Sequence, residues 1–148
     1  MNKAFVREPD ADARVNCPQC GGLAVEVSAS PLNEHICDEH RSRLGDSGWC
    51  CRTPACEVVY FDMFEQRVLL AQLRQPLYPK SPSAAVCACF GMTLDDIEAD
   101  LRDGQPRRIR ELYAKSRSAA AQCERLSMDG RCCLPEVQRL YLRGSPPP

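Results

Sequence analysis

No apolar run in this chain approaches the roughly eighteen residues that a membrane-spanning helix needs. Aromatic residues are sparse, at 6%, with a single tryptophan. Neither sign of charge dominates: nineteen Lys and Arg stand against twenty Asp and Glu, a net charge of −1. That balance gives no bulk electrostatic grip on nucleic acid, so nucleic-acid binding is not expected. The opening stretch, MNKAFVREPDADARVN, lacks the apolar segment and small-residue cleavage site of a secretory leader. The expected compartment is therefore the cytoplasm, where thiols stay reduced. Catalytic signatures are missing too. There is no Ser–His–Asp pattern, no phosphate-cradling loop and no carboxylate pair in an apolar setting. If the chain does redox chemistry, these absences favour a one-electron carrier over a catalyst.

What the chain has instead is cysteine: eleven in 148 residues. Such a density belongs to disulfide scaffolds or metal proteins. An odd count in a reducing compartment argues against a fully paired disulfide framework and makes metal binding the leading explanation. The length suits one domain or two very small ones.

The pattern along the chain predicts an α+β protein with a β-rich first half and a helical second half. Residues 1–14 are polar and charged and predict a flexible lead-in. The β-rich unit is expected over 15–73, with strands at Gly22–Ser30, Glu57–Phe64 and Arg67–Leu73, and a short helix within PLNEHICDEHRSRL. Three prolines within residues 74–84 mark a linker. Helices are expected over 85–144. Thr93 and Asp96 form a capping box ahead of Leu94, Ile97 and Leu101, and Gly104 is a stop. Pro106 opens a second helix carrying Ile109, Leu112 and Tyr113 on one face, and Pro135 a third carrying Val137, Leu140 and Tyr141, closed by Gly144. Residues 145–148, SPPP, predict a disordered tail.

The cysteines fall into two sets. In CPQCGG, Cys17 and Cys20 form a knuckle: two intervening residues let one tight turn aim both sulfurs at one ion. Gly21 and Gly22 permit the turn and let backbone amides face the sulfurs. Cys51 and Cys56, with Pro54 between them, can complete a closed Zn²⁺ tetrahedron in the manner of a zinc ribbon. Alternatives remain at this point. Cys50 could replace Cys51, or one of His35, Cys37 and His40 in HICDEH could replace a thiol. The plainer reading of HICDEH is a solvated helix face with one buried cysteine.

The second set is Cys87 and Cys89, then Cys123 and the adjacent Cys132 and Cys133, over thirty residues downstream. A C-x-C pair with such distant partners fits no zinc finger well. It suits a [2Fe–2S] cluster, which takes two thiolates on each iron. Two predicted helices begin just after these cysteines, and helix N-termini favour the negative charge of such a cluster. Phe90 is expected beside it, keeping water away, while Trp49, Tyr60 and Phe61 are expected in the core.

Taken together, GWCCRTPACEVVYF, VCACFGMTLDDI and CERLSMDGRCCLPEV resemble the N-terminal region of CopZ-type iron–sulfur copper chaperones. In that family a zinc-ribbon half precedes a helical half similar to the [2Fe–2S] domain of bacterioferritin-associated ferredoxin. The likeness runs from about Val15 to Tyr141. It implies zinc on Cys17, Cys20, Cys51 and Cys56. It implies a [2Fe–2S] cluster on Cys87, Cys89, Cys123 and one of Cys132 and Cys133, with Cys133 favoured because it borders the helix start. The chain departs from the pattern in two places. The last ligands are separated by a longer loop, ERLSMDGR, and the copper-binding M-x-C-x-x-C motif of the family does not occur in these residues.

The expected function is that of a metallochaperone or electron-transfer accessory protein, reducing copper or a partner's metal centre during handover. Its partner would be a separate copper chaperone, a metal transporter or another redox protein. The alternatives are a zinc-stabilised, non-redox module that binds protein or nucleic acid through Arg107, Arg108 and Arg110, and a carrier that donates its [2Fe–2S] cluster. The plainer reading of the arginines is a solvated helix face.

Overall fold

The computed structural model describes residues 14–144. Expectations for residues 1–13 and for the 145–148 tail lie outside the described residues. The first half carries strands β1 (Ala24–Ser28), β2 (Ser47–Cys51), β3 (Val58–Phe61) and β4 (Arg67–Leu69), paired antiparallel in the order β1-β2-β3-β4. Two short helices, α1 (Ala29–His35) and α2 (Asp38–Arg41), lie between β1 and β2. The second half is helical: α3 (Leu94–Asp103), α4 (Arg107–Ser116), α5 (Cys123–Leu126) and α6 (Leu134–Gly144). The α+β class is as expected. Among the described residues no helix is long and apolar enough to cross a membrane.

Strand β2 was not foreseen. Its sequence, SGWCC, has no alternation of aliphatic residues, yet it is an inner strand paired on both sides. Successive side chains point to opposite faces, and here the alternation separates two adjacent cysteines. Cys50 joins Val27, Val59, Tyr60 and Val68 in the core beneath α1. Cys51 joins Cys17, Cys56, Val58 and Phe61 on the other side. Trp49 stacks on Phe61 across the β2–β3 pair, with ring centroids 6.1 Å apart. Burying side chains such as Val59 and Val68 contributes about 1.5–3 kcal/mol each.

In the second half, α3 has the expected capping box. Asp96 N donates to Thr93 Oγ1 at 3.3 Å and Thr93 N to Asp96 Oδ2 at 3.0 Å. Gly104 ends the helix at φ 72°. Pro106 sits just ahead of α4, whose first amides are taken up by Asp100, a carboxylate with no exposed surface. Arg108 N reaches its Oδ1 at 3.2 Å and Ile109 N its Oδ2 at 2.9 Å. Ile97, Ile109, Leu112 and Val137 form the helical core, with Leu94, Leu101, Leu140 and Tyr141 partly buried against it. Tyr113 instead lies at the surface with Arg117 over its ring.

The halves share buried contacts. Met128, from the loop after α5, lies in the core of the β-rich half. Tyr60 Oη donates to its carbonyl at 2.5 Å. Arg125 pairs with Glu34 at 2.9 Å and Arg52 with Asp129 at 3.5 Å. The proline-rich stretch runs along this boundary: Leu77 lies in the first core, Tyr78 packs on the second, and Lys80 is 7% exposed.

Candidate metal centres

Each half contains the same backbone turn. In the first, Cys17 N donates to Gly22 O at 2.8 Å and Gly21 N to Cys17 O at 3.0 Å, with Gly21 at φ 73°. In the second, Cys87 N donates to Met92 O at 3.1 Å and Gly91 N to Cys87 O at 2.8 Å, with Gly91 at φ 74°. The left-handed residue four places after the cysteine is glycine in both, as that conformation favours. The amides two and three residues on turn toward the leading sulfur in both cases: Gln19 and Cys20 toward Cys17, Cys89 and Phe90 toward Cys87. Such amides favour the thiolate, the form that ligates metal.

In the first half, strand β2 and the turn after it bring Cys51 and Cys56 to the Cys17–Cys20 knuckle. The four sulfurs all lie within 4.8 Å of one another. Cys17 and Cys56 are 3.9 Å apart and Cys20 and Cys51 are 3.7 Å apart. Sulfurs about 2.3 Å from a shared zinc ion stand about 3.8 Å apart along a tetrahedral edge, so the donor set fits Zn²⁺ in number, chemistry and spacing. Cys50 points into the core, where burial pushes its thiol far up and leaves it a hydrophobe. The Thr53 hydroxyl and then the Gly22 amide, 3.3 Å from the sulfur, lower the Cys20 thiol to about 6. Burial raises Cys56 to about 12.

The second set is arranged differently. Cys89 Sγ lies 3.5 Å from Cys123 Sγ. The neighbouring Cys133 thiol lowers Cys87 to about 6, and Cys87 in turn drives Cys133 up. Burial raises Cys123 to about 12, opposed by the Cys133 amide directed at its sulfur. Among the described residues, the first set is the only group of three or more candidate ligands whose donor atoms all lie within 4.8 Å of one another. The second set is thus not one tetrahedron, and its close sulfur contact is Cys89 with Cys123. Thiols gathered without closing on one ion suit a donor set in which each of two irons takes two thiolates. Cys132 is exposed beside them, on the wall of a cleft of about 450 Å³ between the halves. Phe90 is half-buried against the same cluster of side chains. All eleven cysteines are free thiols.

The HICDEH segment does not converge on a site. His35 is buried, 1% exposed, with Nε2 3.3 Å from Ser127 O. Cys37 is half-buried ahead of α2, and His40 lies 3.7 Å from Glu39. The plain expectation of a solvated face with one buried cysteine is therefore corrected: His35 and Ile36 are the buried members and Cys37 is half-buried. The arginines of α4 are partly committed. Arg108 contacts Asp100 and Asp103 at 3.0 Å each, and Arg107 lies 3.3 Å from Asp103.

Two residues at the first centre escaped the sequence. Thr53 lies between Cys51 and Cys56 and carries no sequence signal of its own. Lys80 lay in the proline-rich stretch, but its Nζ donates to Thr53 O at 2.7 Å, Cys56 O at 2.9 Å and Cys51 Sγ at 3.3 Å. A lone lysine among prolines was the sole signal.

Residues 14–74 match the CopZ-type zinc-finger family, described as a zinc binding domain. The solved N-terminal domain of Archaeoglobus fulgidus CopZ is similar with a TM-score of 0.72, across 90% of this chain and 100% of that one, at 21% sequence identity. At that identity the likeness speaks for the fold. No curated protein matches the chain. A CopZ-like zinc binding domain with four clustered cysteines fits a metal-handling role.

Proposed function

We propose that this protein is a metal-handling accessory that holds zinc on Cys17, Cys20, Cys51 and Cys56, and a [2Fe–2S] cluster on Cys87, Cys89, Cys123 and Cys133. When bound, such a cluster supplies one electron at a time. The observation that carries the reading is that the second set gathers without closing into one tetrahedron, with Cys89 Sγ 3.5 Å from Cys123 Sγ and Cys133 acting on Cys87. The assignment of Cys133 over Cys132 rests on the effect of Cys133 on Cys87 and on the exposure of Cys132. Cys133 directly precedes α6, so the amides of that helix's first turn and its dipole favour negative charge there. The cleft beside Cys132 and Cys133 offers a route by which a partner's metal centre comes close to these thiols. The resemblance to CopZ-type chaperones makes copper, reduced before delivery, the preferred cargo, and a copper chaperone or metal transporter the preferred partner. The binding-module alternative draws less support, because Arg107 and Arg108 already face the carboxylates of α3.

The test is anaerobic purification with metal and acid-labile sulfide analysis and a visible spectrum before and after dithionite. About two iron, two sulfide and one zinc per chain, with bands that bleach on reduction, is the expected result. Zinc alone, with no sulfide after cluster reconstitution, removes the redox reading.

A further inference from the structure

Lys80 is hard to explain by packing alone. Its ammonium is buried and makes three contacts, all to the turn bearing Cys51 and Cys56: two carbonyls and the Cys51 sulfur. Among the described residues no carboxylate accepts from it. A lysine buried without an anion carries a large desolvation penalty. Four thiolates on one Zn²⁺ leave two excess negative charges in formal terms, which is the counter-charge this ammonium otherwise lacks. Its N–H bond to Cys51 Sγ is the contact that disperses charge on a ligating sulfur.

The position of Lys80 in the chain adds a second role. It lies two residues after Tyr78, whose hydroxyl donates to Glu136 Oε1 at 3.0 Å. Glu136 is in the first turn of α6, three residues after Cys133. Leu77, Tyr78 and Lys80 thus run from the first core, over the second, to the four-cysteine centre.

We propose that Lys80 is the charge-compensating positioning residue of the four-cysteine centre, and that metal bound there fastens the 77–80 segment along the boundary of the two halves. This rests on the zinc reading above. The full chain is loaded with Zn²⁺ or Co²⁺ and compared with its Lys80→Met and Lys80→Arg variants. Lys80→Met keeps an unbranched side chain one atom shorter and loses the donor and the charge. It should give up metal to a chromophoric chelator at roughly tenfold lower chelator concentration, as losses of outer-shell partners do. Its thiolate-to-Co²⁺ charge-transfer bands should shift, a change that loss of packing would not produce. Lys80→Arg, retaining donor and charge, should restore both.

A measurement on the unaltered protein guards against a variant that fails to fold. With zinc bound, the Lys80 amine should react with an acylating reagent at least about tenfold more slowly than Lys115, and that protection should fall when zinc is chelated. An unshifted Co²⁺ spectrum with unchanged metal retention in Lys80→Met overturns the proposal. So does a Lys80 amine as reactive as Lys115 in the zinc-loaded protein. If the unaltered chain takes up neither metal, it is the zinc reading that fails.

Discussion

The hydroxyl of Tyr60, in the middle of the sheet, donates 2.5 Å to the main-chain carbonyl of Met128, in the loop that leads toward Cys132 and Cys133. Both residues are buried. Tyr60→Phe removes the donor and leaves that carbonyl without this partner. It should destabilise the protein by about 1–2 kcal/mol in urea unfolding. Amide exchange should quicken both in β3 and in residues 127–131.

Adjacent cysteines on β2 should behave oppositely. Cys51→Ser should lower bound zinc to near zero, because its sulfur belongs to the clustered four. Cys50→Ser should keep its zinc and lose about 1–3 kcal/mol of stability, because it places a hydroxyl in an apolar core. Zinc content with equilibrium unfolding checks both. Equal zinc loss in the two variants would contradict the assignment.

The proposed cluster ligands can be separated in the same way. Cys123→Ser and Cys133→Ser should each abolish the iron and sulfide content while leaving zinc, and Cys132→Ser should retain the cluster. Unchanged iron in Cys123→Ser would remove that residue from the ligand set.

His35 sets a pH dependence. Burial holds its imidazole below the ordinary range near 6.5, against the opposing pull of the Ser127 carbonyl. The unfolded chain then binds a proton at a pH where the folded chain does not. The stability from this residue is complete above about 6.5 and is lost as pH falls through the lower folded value. The ring proton resonances of His35 should titrate below that range, and His35→Gln should flatten the acid slope of stability at saturating zinc.

Asp100 anchors the turn between α3 and α4. Its buried carboxylate accepts from Arg108 N, Ile109 N and Arg108 Nη1. Asp100→Ala should cost about 2–3 kcal/mol and fray the start of α4, read as loss of helical circular dichroism and of amide protection at Ile109.

The sequence was most legible where chemistry is local. The CPQCGG turn, the Thr93–Asp96 capping box and the Gly104 stop each depend on a few neighbouring residues, and each stands as expected. The Cys51 and Cys56 sulfurs also meet the knuckle. Strand β2 was not legible because glycine and cysteine mask the alternation of SGWCC; its strand character comes from pairing on both edges. Helix α5 is a single short turn that leans on α1. The sequence of HICDEH predicts a solvated face at His35, because the burial of that ring is supplied by a loop ninety-two residues away. Lys80 was illegible for the same reason: its partners are three distant groups brought near only by the fold.

Met128 lies between Cys123 and Cys133 in the chain, yet its side chain is a wedge in the other half. Any cofactor that ties Cys123 to Cys133 closes a small loop around that wedge and drives it home. A protein built this way should melt in one step, and losing the cofactor should lower the melting temperature of the β-sheet as well as the helices. Severed after residue 84, the first half would keep all four of its clustered thiols but have a hole where Met128 belongs.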